Sequence, residues 1–241
     1  MSNQKNEKYD YGGLEAGYYD FKSKSLRKKW HELKFKQVAS RLFQNQPNLV
    51  IDLGCGPGVF LRDFVSRDIY RFGYDVSKAQ VEYANQFSSP TLSFTSNLNE
   101  LTDILKSMRL TQIRLAVVAI ELIEHIDDSE LQNIHQVVQR IADNSTAKNV
   151  DWIITTPNRV SLWPILERIV DIILGTDYRQ QHQFLCSDKT LRERLNRLFG
   201  IDFKVESFMS VSDWLFRKKH TRAYRSFLFR GLLLMASRKT H

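Results

Sequence analysis

A glycine-rich turn between a buried strand and a helix constrains this 241-residue chain more than any other segment. The turn follows the strand-like run NLVIDL and reads Asp52-Leu53-Gly54-Cys55-Gly56-Pro57-Gly58, with helical spacing beginning at Gly58. Glycine lets a backbone turn tightly and approach a ligand without clashes from a Cβ atom. The sequence therefore predicts a ligand-binding turn at the carboxyl end of a strand, where open α/β sheets bind their ligands.

Strand-like and helical segments alternate along the rest of the chain. The predicted strands cover 48–53, 70–75, 92–95, 113–120, 150–155, 201–211 and 224–237. Such alternation is typical of a doubly wound, mostly parallel α/β sheet, and the two adjacent late strands predict an antiparallel hairpin at its edge. Leu26, Trp30 and Leu33 recur at roughly helical spacing before the first strand. We therefore expect an N-terminal helical, substrate-side segment over 1–44 and the main domain over 45–241.

Charge is distributed unevenly over the chain, whose net charge is +8. Residues 22–36 carry +6 and the segment from Trp214 onward carries +8, which leaves −6 for the rest. Basic ends of this kind fit contact with anionic lipid or nucleic acid, and equally an ordinary solvated surface. No apolar segment is typical of a signal peptide or a membrane span, so we expect a cytoplasmic protein. The wide spacing of Cys55 and Cys186 disfavours a disulfide scaffold or a zinc knuckle, and Cys55 is expected to be a small, buried thiol.

The acid before the glycine turn discriminates among the cofactors that such turns hold. Asp52 would repel a pyrophosphate, whereas its charge suits the cationic amino-acid end of S-adenosylmethionine (SAM). The third glycine of the dinucleotide pattern would also have to lie one position later than Gly58. Asp75 ends the second predicted strand, 17 residues after Gly58, where a carboxylate can accept both hydroxyls of a ribose. The residues therefore predict a SAM site and disfavour a nicotinamide-dependent oxidoreductase.

The run from Val50 to Gly58 resembles motif I of class I SAM-dependent methyltransferases, and Asp75 matches the ribose-binding acid of that family. The resemblance covers about residues 45–210 and implies a Rossmann-like sheet of seven strands. The cofactor contacts that we expect are Asp52, Gly54, Cys55, Gly56, Gly58, Asp75, Val76, Asn97 and Ile120. Asn97 stands near the position where the family usually has an acid beside the adenine amino group.

Two acids and a histidine follow the fourth predicted strand, in Glu121-Leu122-Ile123-Glu124-His125. Their spacing predicts that Glu121, Glu124 and His125 share one side of a helical turn. With His182 as a fourth group, these side chains are candidate ligands for Mg²⁺ or a similar ion. Alternatively, His125 is a general base without a metal, or the residues only shape and pack the site.

The same segment resembles that of ubiquinone-pathway O-methyltransferases of the UbiG type. Similar residues occur in methyltransferases that modify the 3′-terminal 2′-hydroxyl of small RNAs, where a further histidine completes a metal site. We expect O-methylation of a hydroxylated small molecule, with His125, Glu124 and His182 as catalytic candidates. The alternatives are metal-dependent RNA 2′-O-methylation and a SAM-binding subunit without activity. The largely apolar segment 163–174 favours core packing or a lipophilic acceptor, and with the basic ends it fits peripheral contact with an anionic membrane.

Overall fold

Seven strands, flanked by helices, form one sheet. The computed structural model describes residues 26–107, 113–144, 150–165, 168, 184–209 and 231–238. In chain order the elements are α1 Leu26–Leu42, a 3₁₀ turn Phe43–Asn45, β1 Leu49–Leu53, α2 Val59–Asp63, β2 Tyr70–Tyr74, α3 Lys78–Asn85, β3 Leu92–Thr95, α4 Leu98–Ser107, β4 Leu115–Ile120, α5 Asp128–Asn144, β5 Val150–Pro157, α6 Asp188–Phe199, β6 Phe203–Phe208 and β7 Leu233–Arg238. The strand order is β3-β2-β1-β4-β5-β7-β6, which confirms the predicted α/β sheet.

The central strands are continuous apolar runs. All five residues of β1 are buried, and β4 is buried from Leu115 to Ala119. β1 pairs in parallel with β2 and with β4, so that Leu53 lies beside Tyr74 and Ala119. Parallel strands covered on both faces contain mainly Val, Ile and Leu without polar alternation. This burial is the reason that NLVIDL and LAVVAI are recognisable as strands in the sequence.

The antiparallel part of the sheet is confirmed, with β7 inserted between β5 and β6. β7 runs antiparallel to both of these neighbours. The strand starts at Leu233, and residues 224–230 of the predicted strand lie outside the described residues. β6 is the edge strand, and its exposed Lys204 and Glu206 form an ion pair at 3.1 Å. Charged side chains on an edge strand oppose pairing with other chains.

Serine caps set the start of two helices. Ser77 caps α3, and its hydroxyl accepts a hydrogen bond from the Gln80 N–H. The second, α6, is a helix that the sequence pattern did not predict. Ser187 and Thr190 form a reciprocal capping box at its start, and Gly200, with φ +66°, ends it.

The described chain divides into two compact units. Residues up to 119 together with 136–151 form the first, and 120–135 together with residues from 152 onward form the second. The division predicted between residues 44 and 45 stays a prediction. Most of the apolar segment 163–174 and the basic segment that starts at Trp214 lie outside the described residues. Among the described helices, none is both long and apolar enough to cross a bilayer.

Candidate active site

Three glycines in the left-handed region build the turn that follows β1. Gly54, Gly56 and Gly58 have φ values of +73°, +51° and +74°. Residues with a Cβ atom rarely adopt such angles, which cost them roughly 1–2 kcal/mol. The Tyr74 carbonyl holds the start of the turn, because it accepts hydrogen bonds from the N–H groups of Gly54 (2.8 Å) and Cys55 (3.0 Å). The glycines are therefore a backbone requirement of this turn.

The glycines of the first unit differ in what a side chain would meet. A Cβ atom on Gly58 would lie 2.5 Å from the Phe94 ring, and one on Gly73 would lie 2.3 Å from the same ring. A Cβ atom on Gly56 would meet nothing within 4 Å in the part of the chain that the structure describes. Gly58 and Gly73 are thus needed for packing, whereas Gly56 borders open space that a ligand can occupy.

Asp75, at the end of β2, is held by two backbone donors. Its Oδ2 accepts from the Gly56 N–H at 2.8 Å, and its Oδ1 accepts from the Ser77 N–H at 2.9 Å. Burial raises the pKa of this carboxyl, while the two hydrogen bonds act in the opposite direction. The carboxylate is therefore fixed against the turn, and each oxygen keeps a lone pair that can accept from a ligand hydroxyl.

Asp52 is a buried acid on β1 with an uncompensated oxygen. The residue is 2% exposed, and its Oδ1 has no hydrogen-bond partner among the described residues. Burial, followed by the charge of Asp75, raises the pKa of Asp52 well above its ordinary value. An unpaired buried polar atom costs roughly 1–3 kcal/mol, and the group that compensates it is usually a ligand or a bound water. A cationic ligand fits this position, as predicted for SAM.

The remaining predicted cofactor residues occupy different surroundings. Cys55 is buried, which confirms that expectation, and burial together with the charge of Asp75 raises the pKa of its thiol. Val76 and Ile120 are half-buried. Asn97 is exposed, and its Oδ1 accepts from the Asn99 N–H at 3.1 Å at the start of α4. Contacts from these residues to a cofactor stay predictions.

The segment after β4 does not form the predicted helical turn. Residues 121–127 form turns, in which the His125 N–H donates to the Leu122 carbonyl at 3.0 Å, and α5 starts at Asp128. Glu121 adopts a left-handed conformation with φ +53°. Its N–H donates to the carbonyl of Thr155 on β5 at 3.0 Å. The prediction was wrong because this bond to a distant strand, rather than local helical spacing, sets the backbone at Glu121.

Glu124 is fully buried, with an exposed fraction of 0%. Its Oε2 accepts from the hydroxyl of Thr156 at 3.1 Å, and its backbone carbonyl accepts from the Phe184 N–H at 3.1 Å. His125, the next residue, is half-buried. Strand β5 and the segment that begins at Phe184 therefore hold the turn on which both predicted catalytic residues lie. His182 lies outside the described residues.

The predicted metal ligands do not form a group in the part of the chain that the structure describes. No cluster of three or more His, Cys, Asp or Glu side chains capable of holding a metal ion occurs there. Glu121, Glu124 and His125 all belong to that part, so these three do not form a metal site by themselves. A buried glutamate that accepts from Thr156 fits a positioning role in the site instead.

Glu121→Gly is expected to be more stable than Glu121→Ala. Both variants lose the carboxylate, but alanine keeps the strained left-handed conformation, which costs roughly 1–2 kcal/mol. Glycine avoids this strain, but it lowers stability by roughly 0.4–1 kcal/mol because it raises the conformational entropy of the unfolded chain. Urea unfolding of both variants measures the difference. Gln46, with φ +46°, provides the matched pair Gln46→Gly and Gln46→Ala at an exposed position. If the Gln46 pair differs and the Glu121 pair does not, the backbone strain at Glu121 is contradicted.

Comparisons with known proteins agree with this fold and this turn. The chain matches no protein-family model. It is 28% identical, over 136 residues, to a ubiquinone biosynthesis O-methyltransferase of Rickettsia canadensis (strain McKiel). That match covers 56% of this chain and 54% of the relative, so the chain spans about half the length of the protein that it resembles.

Among solved structures, the chain is similar to magnesium protoporphyrin IX methyltransferase from Synechocystis PCC 6803 with bound S-adenosylhomocysteine (SAH). The TM-score is 0.53 at 16% identity, over 98% of this chain and 93% of that one. It is also similar to the small RNA methyltransferase HEN1, with a TM-score of 0.57 at 16% identity, over 88% of this chain and 25% of that one. This chain has the SAM-dependent methyltransferase fold. The resemblance to class I methyltransferases and to the ubiquinone-pathway O-methyltransferases is therefore confirmed. The glycine turn follows the carboxyl end of β1, and open α/β sheets bind their ligands at such ends.

Proposed function

We propose that this protein is a SAM-dependent methyltransferase that transfers a methyl group to a hydroxyl oxygen of a small molecule. The observation that carries the proposal is the turn beside Asp52, where a buried carboxylate oxygen lacks a partner among the described residues and Gly56 borders open space. The relative from Rickettsia supports an oxygen acceptor, because its name describes an O-methyltransferase.

Each acid of the turn has a separate part in holding the cofactor. The Asp75 oxygens, already fixed by the Gly56 and Ser77 N–H groups, accept the ribose hydroxyls with their remaining lone pairs. Asp52 supplies the negative charge that a cationic ligand needs in a buried position. SAM, when bound, supplies a methyl group that is electrophilic because it is carried on a positively charged sulfur. Alignment of that group with the acceptor is the main contribution expected of the protein.

The residues after β4 prepare the acceptor. One ring nitrogen of His125 takes the proton that the acceptor hydroxyl loses, which makes the oxygen a stronger nucleophile. The buried Glu124 carboxylate, fixed by the Thr156 hydroxyl, keeps the turn that carries His125 in place. Leu53 and Ala119 pair in parallel, so the glycine turn and the segment from Ile120 both follow the carboxyl ends of neighbouring strands.

His125→Gln is expected to bind SAH with unchanged affinity and to transfer methyl groups about 10²–10⁴ times more slowly, because only the proton acceptor is lost. The measurement uses radiolabelled SAM with a panel of catechols and phenols, with and without an alkyl chain, together with calorimetry of SAH binding. His135→Gln is the matched control, since His135 is a half-buried histidine on α5 outside the turns. Undiminished transfer by His125→Gln would remove His125 from the mechanism, and absence of SAH binding by the parent protein would overturn the proposal.

A lipophilic acceptor is the finer form of this proposal. Val160 and Ile165, in the segment after β5, are 36% and 50% exposed. Separately, the net charge of +6 over residues 22–36 favours peripheral contact with an anionic membrane, where such an acceptor would be dissolved. Sedimentation with vesicles of phosphatidylglycerol, but not with vesicles of phosphatidylcholine, is the expected result. Absence from both pellets at low salt would exclude the membrane.

RNA 2′-O-methylation is the second candidate function. The net charge of +6 over residues 22–36 favours it, as does the similarity of fold to the small RNA methyltransferase HEN1. The test offers a short RNA duplex with free 3′ ends, with Mn²⁺ or with EDTA. Transfer to RNA that requires the metal and weakens steeply with salt would replace the small-molecule proposal.

A further inference from the structure

A buried arginine of α6 binds the turn on which Glu124 and His125 lie. Arg194 is 8% exposed. Its Nη1 donates to the Ile123 carbonyl at 2.9 Å, and its Nη2 donates to the Ile126 carbonyl at 2.8 Å. One guanidinium group therefore spans the two carbonyls that flank Glu124 and His125.

The remaining contacts of this guanidinium fix its own position. Its Nε donates to Asp128 Oδ1 at 2.7 Å, at the first residue of α5. Its Cζ lies over the Phe184 ring, 4.9 Å from the ring centroid. The N–H of Phe184 in turn donates to the Glu124 carbonyl. Arg194 and Phe184 together thus bind the carbonyls of residues 123, 124 and 126.

The geometry requires an arginine rather than any cation. A guanidinium presents five donors in a planar fork, so that it can reach two carbonyls and a carboxylate at once, whereas a lysine ammonium is a compact point charge. The carboxylate of Asp128 compensates the charge that would otherwise be buried alone. All three bonds go to groups that lie 66 to 71 residues away in sequence, so they join α6 to the turn and to the start of α5.

We propose that Arg194 is a positioning residue for methyl transfer, which holds the backbone on both sides of Glu124 and His125 so that His125 faces the acceptor hydroxyl. The inference rests on the proposed function, in which His125 takes the proton of the acceptor. Arg194 acts through the turn and does not touch the reacting atoms. Loss of the planar guanidinium group of Arg194 is expected to lower kcat while leaving the affinity for SAH unchanged.

The test compares Arg194→Lys with Arg197→Met, a matched variant on the same helix. Arg197 also pairs with Asp128, but its side chain is 67% exposed. Among the described residues, it makes no hydrogen bond to the turn 121–127. Three properties are measured: SAH binding (Kd), the kinetics of methyl transfer to an alkylcatechol (KM for SAM, and kcat per SAH-binding site), and amide exchange of residues 121–127. Normalising to SAH-binding sites removes any loss of folded protein from kcat.

For Arg194→Lys we expect amide exchange of 121–127 to become at least about tenfold faster and kcat to fall about 30-fold, with KM for SAM and Kd for SAH within twofold of the parent. Arg197→Met is expected to match the parent in all three. Wild-type exchange and kcat in Arg194→Lys, or equal losses in Arg197→Met, would overturn the inference.

A second variant covers the case in which Arg194→Lys fails to fold. Asp128→Asn removes the carboxylate charge that pairs with Arg194 Nε and with Arg197, and it keeps both carbonyl bonds of Arg194. The Arg197→Met variant accounts for the second pair, so we expect an intermediate rise in exchange of 121–127; no rise overturns the inference. If the parent protein methylates no hydroxyl acceptor, the proposed function fails, and the exchange data decide separately whether Arg194 holds the turn.

Discussion

Gly56→Ala is expected to fold and to lose binding of SAM and SAH. A Cβ atom at this position meets no atom of the described residues within 4 Å, so the substitution creates no clash with them. With φ +51° at this residue, alanine costs roughly 1–2 kcal/mol of stability. The methyl group occupies the space in which we place the cofactor, and we expect SAH affinity to fall by at least about 100-fold, or roughly 2.7 kcal/mol. Calorimetry and thermal unfolding measure the two effects.

Gly200→Ala is the control that separates the effect of filling the cofactor space from the effect of backbone strain. Gly200 has φ +66°, and a Cβ atom added there would also meet nothing within 4 Å, but this glycine ends α6 in the second unit. The two substitutions therefore carry similar strain. Gly200→Ala should lose similar stability and keep the SAH affinity of the parent. Equal loss of SAH binding in both variants, or full binding in Gly56→Ala, would contradict the assignment of the cofactor to this turn.

The stability of the ligand-free protein is expected to fall as the pH rises above about 4, and Asp52→Asn should remove most of this dependence. Burial raises the pKa of Asp52 above its ordinary value of 3.8. Between 3.8 and the raised value, the folded state binds more protons than the unfolded state, so stability declines with increasing pH. The charge that destabilises the free protein is the charge that a cationic ligand compensates. We therefore expect SAH to bind more tightly as the pH rises over the same range.

Asp52→Asn should have opposite effects on stability and on binding. Without the buried charge, the free protein becomes more stable near pH 7, while SAH affinity falls about 10- to 100-fold, the effect expected for a lost charge-assisted hydrogen bond. Urea unfolding and calorimetry from pH 5 to 8 measure both. Asp68→Asn, at an exposed acid of the same unit, is the control and should leave both curves unchanged. A parallel loss of stability and affinity in Asp52→Asn would show that Asp52 supports the fold rather than the ligand.

Local signals predicted the strands and the glycine turn, and a local signal also accounts for the cap of α3. β1 and β4 are apolar throughout because both faces are buried, and Ser77 caps α3 through a bond to a residue only three positions away. The positive φ values of Gly54, Gly56 and Gly58 follow from the same short segment. Such features depend on neighbours in sequence, so a single sequence reveals them.

The parts that were missed depend on distant partners. The conformation of Glu121 is set by Thr155 on another strand, and local helical spacing predicted the wrong backbone. The apolar face of α6 consists of Leu191, Leu195 and Phe199, and charged residues separate these three in the sequence. The helical pattern was therefore missed, although Ser187 and Gly200 were signals for the ends of the helix. Arg194 was missed with that helix. No local pattern indicates a side chain whose partners lie 66 to 71 residues earlier in the chain.

The position of β7 also affects the order in which the sheet can be completed during synthesis. In the described sheet β6 has β7 as its one neighbour, although β7 follows it in the chain. When Phe203–Phe208 has just been synthesised, β7, the strand that pairs with it in this sheet, does not yet exist. The edge of β5 that pairs with β7 lacks the same partner. Both edges stay exposed until Leu233–Arg238 leaves the ribosome and closes them together. Non-local pairing of this kind forms slowly, so the interval before β7 emerges is when the nascent chain is most exposed to aggregation.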